Sequence, residues 1–266
     1  MGADTRALRT RIKSVNSTRH LTSAMGLVAS SKIRRADQNM RAAVAYADAV
    51  QEVMTALLSA PECARSRYAA ATGDRTRLIV IAGDRGLAGG YNANVFRLAA
   101  TLPDAEVIPI GRRACDRFGA PFVSSEHFAS EDANRLAKTL CADFAAGRFD
   151  RLAIIDTHYV SLLTQQARLR MILPLQRPEK AETHAVLFEP SEAAIWETAV
   201  REYVAGMLMA AVRESFASEV AARRTAMDSA DKNAVAMIDR LTLAYNQARQ
   251  SAITQEITEI VAGSDA

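Results

Sequence analysis

The sequence predicts an α/β protein in which long N- and C-terminal helices pair as an antiparallel coiled coil and flank a Rossmann-like α/β domain. Both ends lack proline over long stretches and carry apolar residues at steps of three and four, which is typical of a narrow apolar stripe on a helix. Between them, short apolar runs alternate with helical patterns. We therefore predict a helix over 1–58, an α/β domain over 76–190 and a second helix over 200–262.

The N-terminal segment has no proline before Pro61, and its apolar stripe runs from Leu8 to Leu57. About 50 helical residues rise by about 75 Å. A helix of that length needs a partner along its course, because its apolar stripe would otherwise face water. The mixture of Pro, Gly, Ser and charged residues over 61–74 predicts a linker.

The middle of the chain has the pattern of a mostly parallel sheet with helices between its strands. Extended segments are predicted at 77–83, 106–111, 151–156, 167–175 and 183–189. Helical patterns lie at 92–102, 112–118 and 131–146.

The C-terminal segment is free of proline from Ser191 to Val261, and Gly263 is a plausible stop. Its apolar stripe begins at Tyr203 and continues to Ile260. The simplest partner for each stripe is the other one, which gives the antiparallel pair. Stripes rich in Ala and Met favour a thin, imperfect coil over a strong zipper.

Composition and charge exclude several classes of protein. No apolar stretch approaches the roughly 20 residues of a membrane span, and the N-terminus lacks the apolar region of a signal peptide. The three scattered cysteines argue against a disulfide framework and against a Cys-rich metal site. Residues 1–37 hold eight Lys or Arg and two Asp, an excess that can contact nucleic acid, anionic lipid or an acidic protein surface, or can lie on a solvated helix face. That segment has no aromatic residue, which disfavours nucleic acid.

The segment GDRGLAGGYN at 83–92 follows a predicted strand and opens a helix, which is where phosphate-binding loops occur. It lacks GxGxxG, and no glycine of the chain precedes a lysine, so a Walker A element is absent. A structural turn fixed by Asp84 and Arg85 is the better interpretation. The four histidines have no metal-binding spacing. Two rival classes stay open, namely a nucleotide-dependent enzyme with a Rossmann-like core and a coiled-coil scaffold or nucleic-acid-binding protein.

Four further segments carry a family pattern in the same order as GDRGLAGGYN. They are RIKSVNSTRHLTSAMGLVASSKIRRA at 11–36, SLLTQQARLRMILPL at 161–175, VLFEP at 186–190 and LTLAYNQARQSAITQEITEIVAG at 241–263. Together they resemble the γ subunit of bacterial F-type ATP synthases over nearly the whole chain. The C-terminal segment is the most family-specific of them.

The resemblance implies that the two terminal helices form a rotor inside a hexamer of alternating α and β subunits. The α/β domain then rests on subunit ε and on the ring of c subunits, and rotation drives conformational change in β. Catalysis belongs to β, so no catalytic, cofactor or metal site is expected in this chain. The implied location is peripheral, on the cytoplasmic face of the bacterial cell membrane, with membrane contact only through the c ring.

The resemblance also carries residues over by motif position. Met25 matches a methionine that faces an acidic loop of β, and neighbouring cations supply positive charge. On the opposite helix three residues match positions that grip β, and two residues match the foot near ε and the c ring. The cations near Met25 are Lys32, Arg34 and Arg35. The three residues on the opposite helix are Arg249, Gln250 and Thr254, and the two at the foot are Phe188 and Glu189.

The chain departs from the family pattern at two positions. Gly26 stands where a long polar residue is usual, and within a helix it costs roughly 0.5–1 kcal/mol relative to alanine. Ala88 stands where cysteine is frequent. The regulatory insertion of the chloroplast type is absent, so thiol control is not expected.

Overall fold

The computed structural model describes residues 3–70, 73–176 and 188–264. Its two long helices are α1 (Ala3–Leu57) and α6 (Glu192–Ser264). The chain divides into a first compact unit of residues 1–29 and 224–266 and a second unit of residues 30–223. The predicted N-terminal helix ends one residue early, and the C-terminal helix begins eight residues before the predicted start at 200.

The first unit is an antiparallel helix pair. Ala29 and Met227 are buried. Arg19 Nε lies 3.4 Å from Asp231 Oδ1, and Arg224 Nη1 lies 3.4 Å from the carbonyl oxygen of Gly26. Later residues of α1 therefore meet earlier residues of α6, as an antiparallel coil requires. The predicted fold class, an α/β domain with an antiparallel pair of terminal helices, is confirmed.

The second unit is built on a sheet with the strand order β2-β1-β3-β4 among the described residues. Strands β1 and β2 are Thr76–Ile81 and Glu106–Ile110, and strands β3 and β4 are Arg151–Tyr159 and Gln165–Leu173. Strand β1 pairs in parallel with β2 and β3, as predicted. Strand β4 is antiparallel to β3 because the two are joined by a short hairpin.

Helices cover both faces of this sheet. They are α3 (Tyr91–Ala99), α4 (Arg112–Phe118), α5 (Ser130–Ala145) and the residues of α1 and α6 that belong to this unit. Leu78 and Val80 face the smaller core beside α3. Ile79 and Ile81 face the larger core, which α1, α5 and α6 complete. This alternation along a strand is expected when both faces are covered.

The predicted linker over 61–74 is wrong for residues 61–69. It contains a short helix, α2 (Pro61–Ala64), and a 3₁₀ turn at Arg67–Ala69. Tyr68 is buried, donates a hydrogen bond from Oη to the carbonyl oxygen of Cys141 (3.1 Å) and stacks on Phe144 with ring centroids 5.6 Å apart. Apolar burial therefore outweighs the local Pro, Ser and charge content.

All three cysteines are free and buried. Burial raises the pKa of the Cys63 thiol, with the charges of Glu192 and Glu62 adding to the effect. Burial also raises the pKa of Cys141 to about 12. Within the described ranges, no helix is long and apolar enough to cross a membrane.

Candidate partner-binding surfaces

The first unit carries large apolar side chains on its outer surface. Its described residues include seven large apolar residues that are each at least 43% exposed. A run of exposed apolar groups along a helix pair is typical of a surface that a partner covers. The seven residues are Leu21, Leu27, Val28, Met237, Leu243, Ile253 and Ile257.

The predicted contacts on α1 differ in their surroundings. Met25 is half-buried in the first unit, beside the buried Gly26. Arg34 and Arg35 are exposed in the second unit. The Lys32 ammonium is already engaged, because its Nζ lies 2.5 Å from Glu126 Oε1. Sequence inspection missed this ion pair, since its members are 94 residues apart.

The predicted contacts on α6 are Arg249, Gln250 and Thr254, and all three are exposed. The Thr254 hydroxyl donates to the backbone carbonyl of Gln250 at 3.0 Å. This bond satisfies the hydroxyl locally. Arg249 and Gln250, the other two predicted contacts, have long polar side chains at exposed positions.

The predicted contacts at the foot lie next to α6. Phe188 is half-buried and packs against the larger core, and Glu189 is exposed. The extended segment predicted at 183–189 lies outside the described residues except for these last two.

The GDRGLAGGYN loop is held by the Asp84 carboxylate. Asp84 Oδ1 accepts hydrogen bonds from the backbone N–H of Arg112 and Ser125, at 3.0 and 3.1 Å. Its Oδ2 accepts from the Ser124 hydroxyl at 2.6 Å and from the N–H of Glu126 at 3.1 Å. Burial opposes ionisation, but these bonds outweigh it and lower the pKa of Asp84.

A second carboxyl group, that of Glu219 on α6, packs against the same loop at Gly83. It accepts a hydrogen bond from the Arg223 guanidinium at 2.5 Å. Arg223 also donates to the carbonyl oxygen of Gly86 at 3.1 Å. Burial raises the pKa of the Glu219 carboxyl, with the negative charge of Asp84 adding to the effect and Arg223 opposing it. An i, i+4 Glu–Arg pair was visible in the sequence, but its position under the loop was not.

These contacts support the structural interpretation of the loop over the phosphate-binding one. The N–H of Gly83 donates to Asn92 Oδ1 at 2.9 Å. A Cβ at Gly83 would lie 2.7 Å from the Glu219 carboxyl carbon, so any larger residue would displace this carboxyl group. The Gly83 amide is thus bonded within the protein, and the Asp84 carboxylate places a negative charge in the loop, which disfavours a bound phosphate.

The loop presents one apolar side chain outward. Leu87 has φ 60°, in the left-handed region, and its side chain is 62% exposed. Such a conformation costs a leucine roughly 1–2 kcal/mol. Ala88, where the family pattern often has cysteine, is 2% exposed.

A charged cluster joins β3, β4 and α6. The fully buried Asp156 accepts from Arg168 and Arg170, with Nη2–Oδ2 distances of 3.0 and 2.7 Å. Arg168 also pairs with Glu214 at 2.5 Å, and His158 Nδ1 lies 2.5 Å from the other oxygen of Glu214. The described residues contain no group of three or more potential ligands arranged for a metal ion. The cluster is a structural connection between the hairpin and α6.

Comparison with known proteins shows the relationship. The ATP synthase family model matches residues 4–266. An ATP synthase gamma chain of Ruminococcus albus is 39% identical over 281 aligned positions, covering 98% of each chain. An ATP synthase gamma chain of Moorella thermoacetica is 38% identical over 280 positions, covering 99% of each.

Solved structures share the fold at lower identity. A chain of the Euglena gracilis mitochondrial ATP synthase, in a structure of OSCP, F1 and the c-ring, has a TM-score of 0.70 and 19% identity over 100% of this chain and 95% of its own. A chain from the central stalk and c-ring of the Tetrahymena thermophila mitochondrial enzyme has a TM-score of 0.63 and 20% identity, over 79% of this chain and 99% of its own. By the family match and the two full-length relatives, this chain belongs to the gamma chain family of ATP synthases.

Proposed function

We propose that this chain is the central-stalk rotor subunit of an F-type ATP synthase. It couples ion-driven rotation of the c ring to conformational change and ATP synthesis in the catalytic β subunits. The observation that carries the proposal is the similarity to two ATP synthase gamma chains, which covers at least 98% of this chain and of each relative. The chain is a non-catalytic subunit of an ion-transporting complex.

The helix pair of the first unit is the part proposed to turn inside the hexamer of α and β subunits. Its exposed apolar residues support this role, because an apolar surface allows sliding without directional bonds. The proposed contacts with β are distributed over both terminal helices. They are Met25, Lys32, Arg34, Arg35, Arg249, Gln250 and Thr254.

The foot is proposed to contact ε and the c ring through Phe188 and Glu189. Membrane contact is made only through the c ring, so the chain is a peripheral protein on the cytoplasmic face of the bacterial membrane. A coiled-coil part at 1–58 and 200–262 and a globular part at 76–190 remain the proposed functional division.

Reconstitution tests the proposed function. The α and β subunits are purified with and without this chain, and the complete complex is assembled in vesicles. We expect the chain to co-purify with α and β, and ion-driven ATP synthesis to require it. Synthesis at the same rate without the chain, or failure to associate with α and β, would contradict the proposal. Calorimetry with ATP and the isolated chain tests the rival hypothesis of a nucleotide-dependent enzyme. That hypothesis predicts micromolar binding of ATP, whereas a rotor subunit is expected to show none.

A further inference from the structure

A groove of about 470 Å³ opens in the second unit between α1, α6 and the start of α5. Small and apolar residues of α1 and α6, including Ala43, Ala205, Gly206 and Met209, form its floor, and the polar residues Asn39, Ser130 and Asn134 complete its lining. Gly206 packs closely there, because a Cβ would lie 3.1 Å from the Tyr46 ring. The volume is in the range of sites that hold small organic molecules.

A positive charge stands at one end of the groove. Arg213 Nη2 donates to the carbonyl oxygen of Phe128 at 2.9 Å, and Nη1 lies 3.4 Å from that of Glu126. No carboxylate in the described part of the chain is within ion-pair distance of this guanidinium. Burial lowers the pKa of Arg213, and no opposing charge offsets it. A half-buried cation in this state favours an anionic partner.

A negative charge stands at the other end. The Glu202 carboxylate accepts a hydrogen bond from the Tyr46 hydroxyl at 3.1 Å and is exposed. Among the described residues it has no cationic partner within ion-pair distance. Glu202 and Arg213 are 11 residues apart on α6, which is close to three helical turns and about 16 Å. They therefore lie on one side of the helix with the apolar floor between them.

We propose that this groove binds an elongated zwitterion that has a carboxylate at one end, an ammonium at the other and an apolar body between them. The carboxylate pairs with Arg213 and the ammonium with Glu202. The apolar body covers the small-residue floor. The proposal does not rest on the proposed rotor function.

Calorimetry on the full chain tests the proposal with four probes of one length, each used below its micelle concentration. They are 12-aminododecanoate, dodecanoate, dodecylammonium and dodecanedioate. We expect saturable binding of 12-aminododecanoate, with the two single-ended probes about fivefold weaker or more, since each lacks one ion pair. Equal binding of the four probes, or no saturable binding of the amino acid, would overturn the proposal.

Two variants separate the groove from unspecific apolar binding. Ala42→Leu adds volume at an exposed lining position and is expected to abolish binding. Ala45→Leu adds the same volume at an exposed position of α1 outside the groove and is expected to leave binding unchanged. If Ala42→Leu binds as the parent chain does, the ligand is not in the groove.

A charge reversal tests the orientation of the ligand. Glu202 is exposed, so Glu202→Lys is expected to fold normally. With two cationic ends the groove should prefer dodecanedioate over 12-aminododecanoate, which inverts the order found for the parent chain. An unchanged order would refute the assignment of Glu202.

Discussion

At the scale of single residues, the loops at the end of the parallel strands tolerate little change. Gly111 has φ 94°, and a Cβ there would lie 1.9 Å from the carbonyl oxygen of Ala82. The carbonyl group of Ala82, which directly follows β1, belongs to the backbone and cannot move aside as a flexible side chain could. Gly119, at the other end of α4, also has a positive φ, 67°, but has no atom within 4 Å of the added position.

We predict that Gly111→Ala lowers the free energy of unfolding by about 3 kcal/mol or more, because left-handed strain and a backbone clash add together. The matched variant Gly119→Ala meets only the conformational strain and should cost about 1–2 kcal/mol. Denaturant unfolding of both variants measures the difference. Equal losses would show that the clash at Gly111 relaxes without cost.

Asp84→Asn should lower the free energy of unfolding by about 1–3 kcal/mol at neutral pH, because an amide cannot accept all four hydrogen bonds that the carboxylate accepts. The folded pKa of Asp84 is lowered, so its contribution is present above the ordinary carboxyl pKa and is lost as pH falls through the folded value. The difference between parent and variant should therefore shrink below about pH 4.

The control for this change is Asp116→Asn, at an exposed position of α4. Unfolding is followed from pH 7 down to about pH 3 for all three proteins. A constant difference between Asp84→Asn and the parent across this range would contradict the assigned role of the carboxylate.

At the scale of elements, the sequence predicted those helix and strand bounds that depend on residues close together in the chain. The bounds of α4 match because glycines with positive φ flank it on both sides, and these are strong local stop signals. The short helix and turn after Pro61 were missed because they depend on Tyr68 packing against Phe144, which is remote in sequence. The antiparallel direction of β4 likewise follows from the hairpin and not from its composition.

The charged cluster at β3, β4 and α6 gives a prediction at this scale. Asp156→Ala removes the buried acceptor of two arginines and should lower the free energy of unfolding by about 3–5 kcal/mol. Asp37→Ala, which breaks an exposed i, i+4 pair with Arg41, should cost about 0.5 kcal/mol or less. Thermal and denaturant unfolding compare the two, and similar small losses would show that the buried cluster adds little stability.

At the scale of the whole molecule, the sequence predicted the family and the fold class but not the partners of individual charges. Lys32 was assigned to β from its motif, and the structure shows its ammonium paired with Glu126. Glu219 and Arg223 contact each other, and Arg223 contacts the loop at Gly86, but no local sequence pattern indicates the second contact. Both outcomes have one cause, since contacts between residues far apart in sequence leave no local pattern for a single sequence to reveal.

The proposed rotor contacts lead to a ranking of variants. Lys32→Ala and Arg35→Ala should retain most ATP synthesis, because exposed or internally paired charges contribute only about 0–1 kcal/mol to a contact. Arg249→Ala should impair assembly or coupling, because a desolvated partner left unpaired costs roughly 2–5 kcal/mol. Reconstituted complexes are assayed for ATP hydrolysis and ion-driven synthesis. Near-normal activity of Arg249→Ala, or a severe loss from Lys32→Ala, would reverse the ranking.

The burial of all three cysteines makes the natural chain suitable for site-specific labelling. Cys63, Cys115 and Cys141 are each at most 2% exposed, and maleimides react with accessible thiolates. We expect intact-mass analysis to find no adduct on the native chain after brief maleimide treatment and three adducts after unfolding in guanidinium. A single cysteine introduced at Lys138, an exposed position of α5 outside the proposed contacts, would then accept a fluorophore without removal of any native thiol, so rotation could be followed optically with the proposed contacts intact.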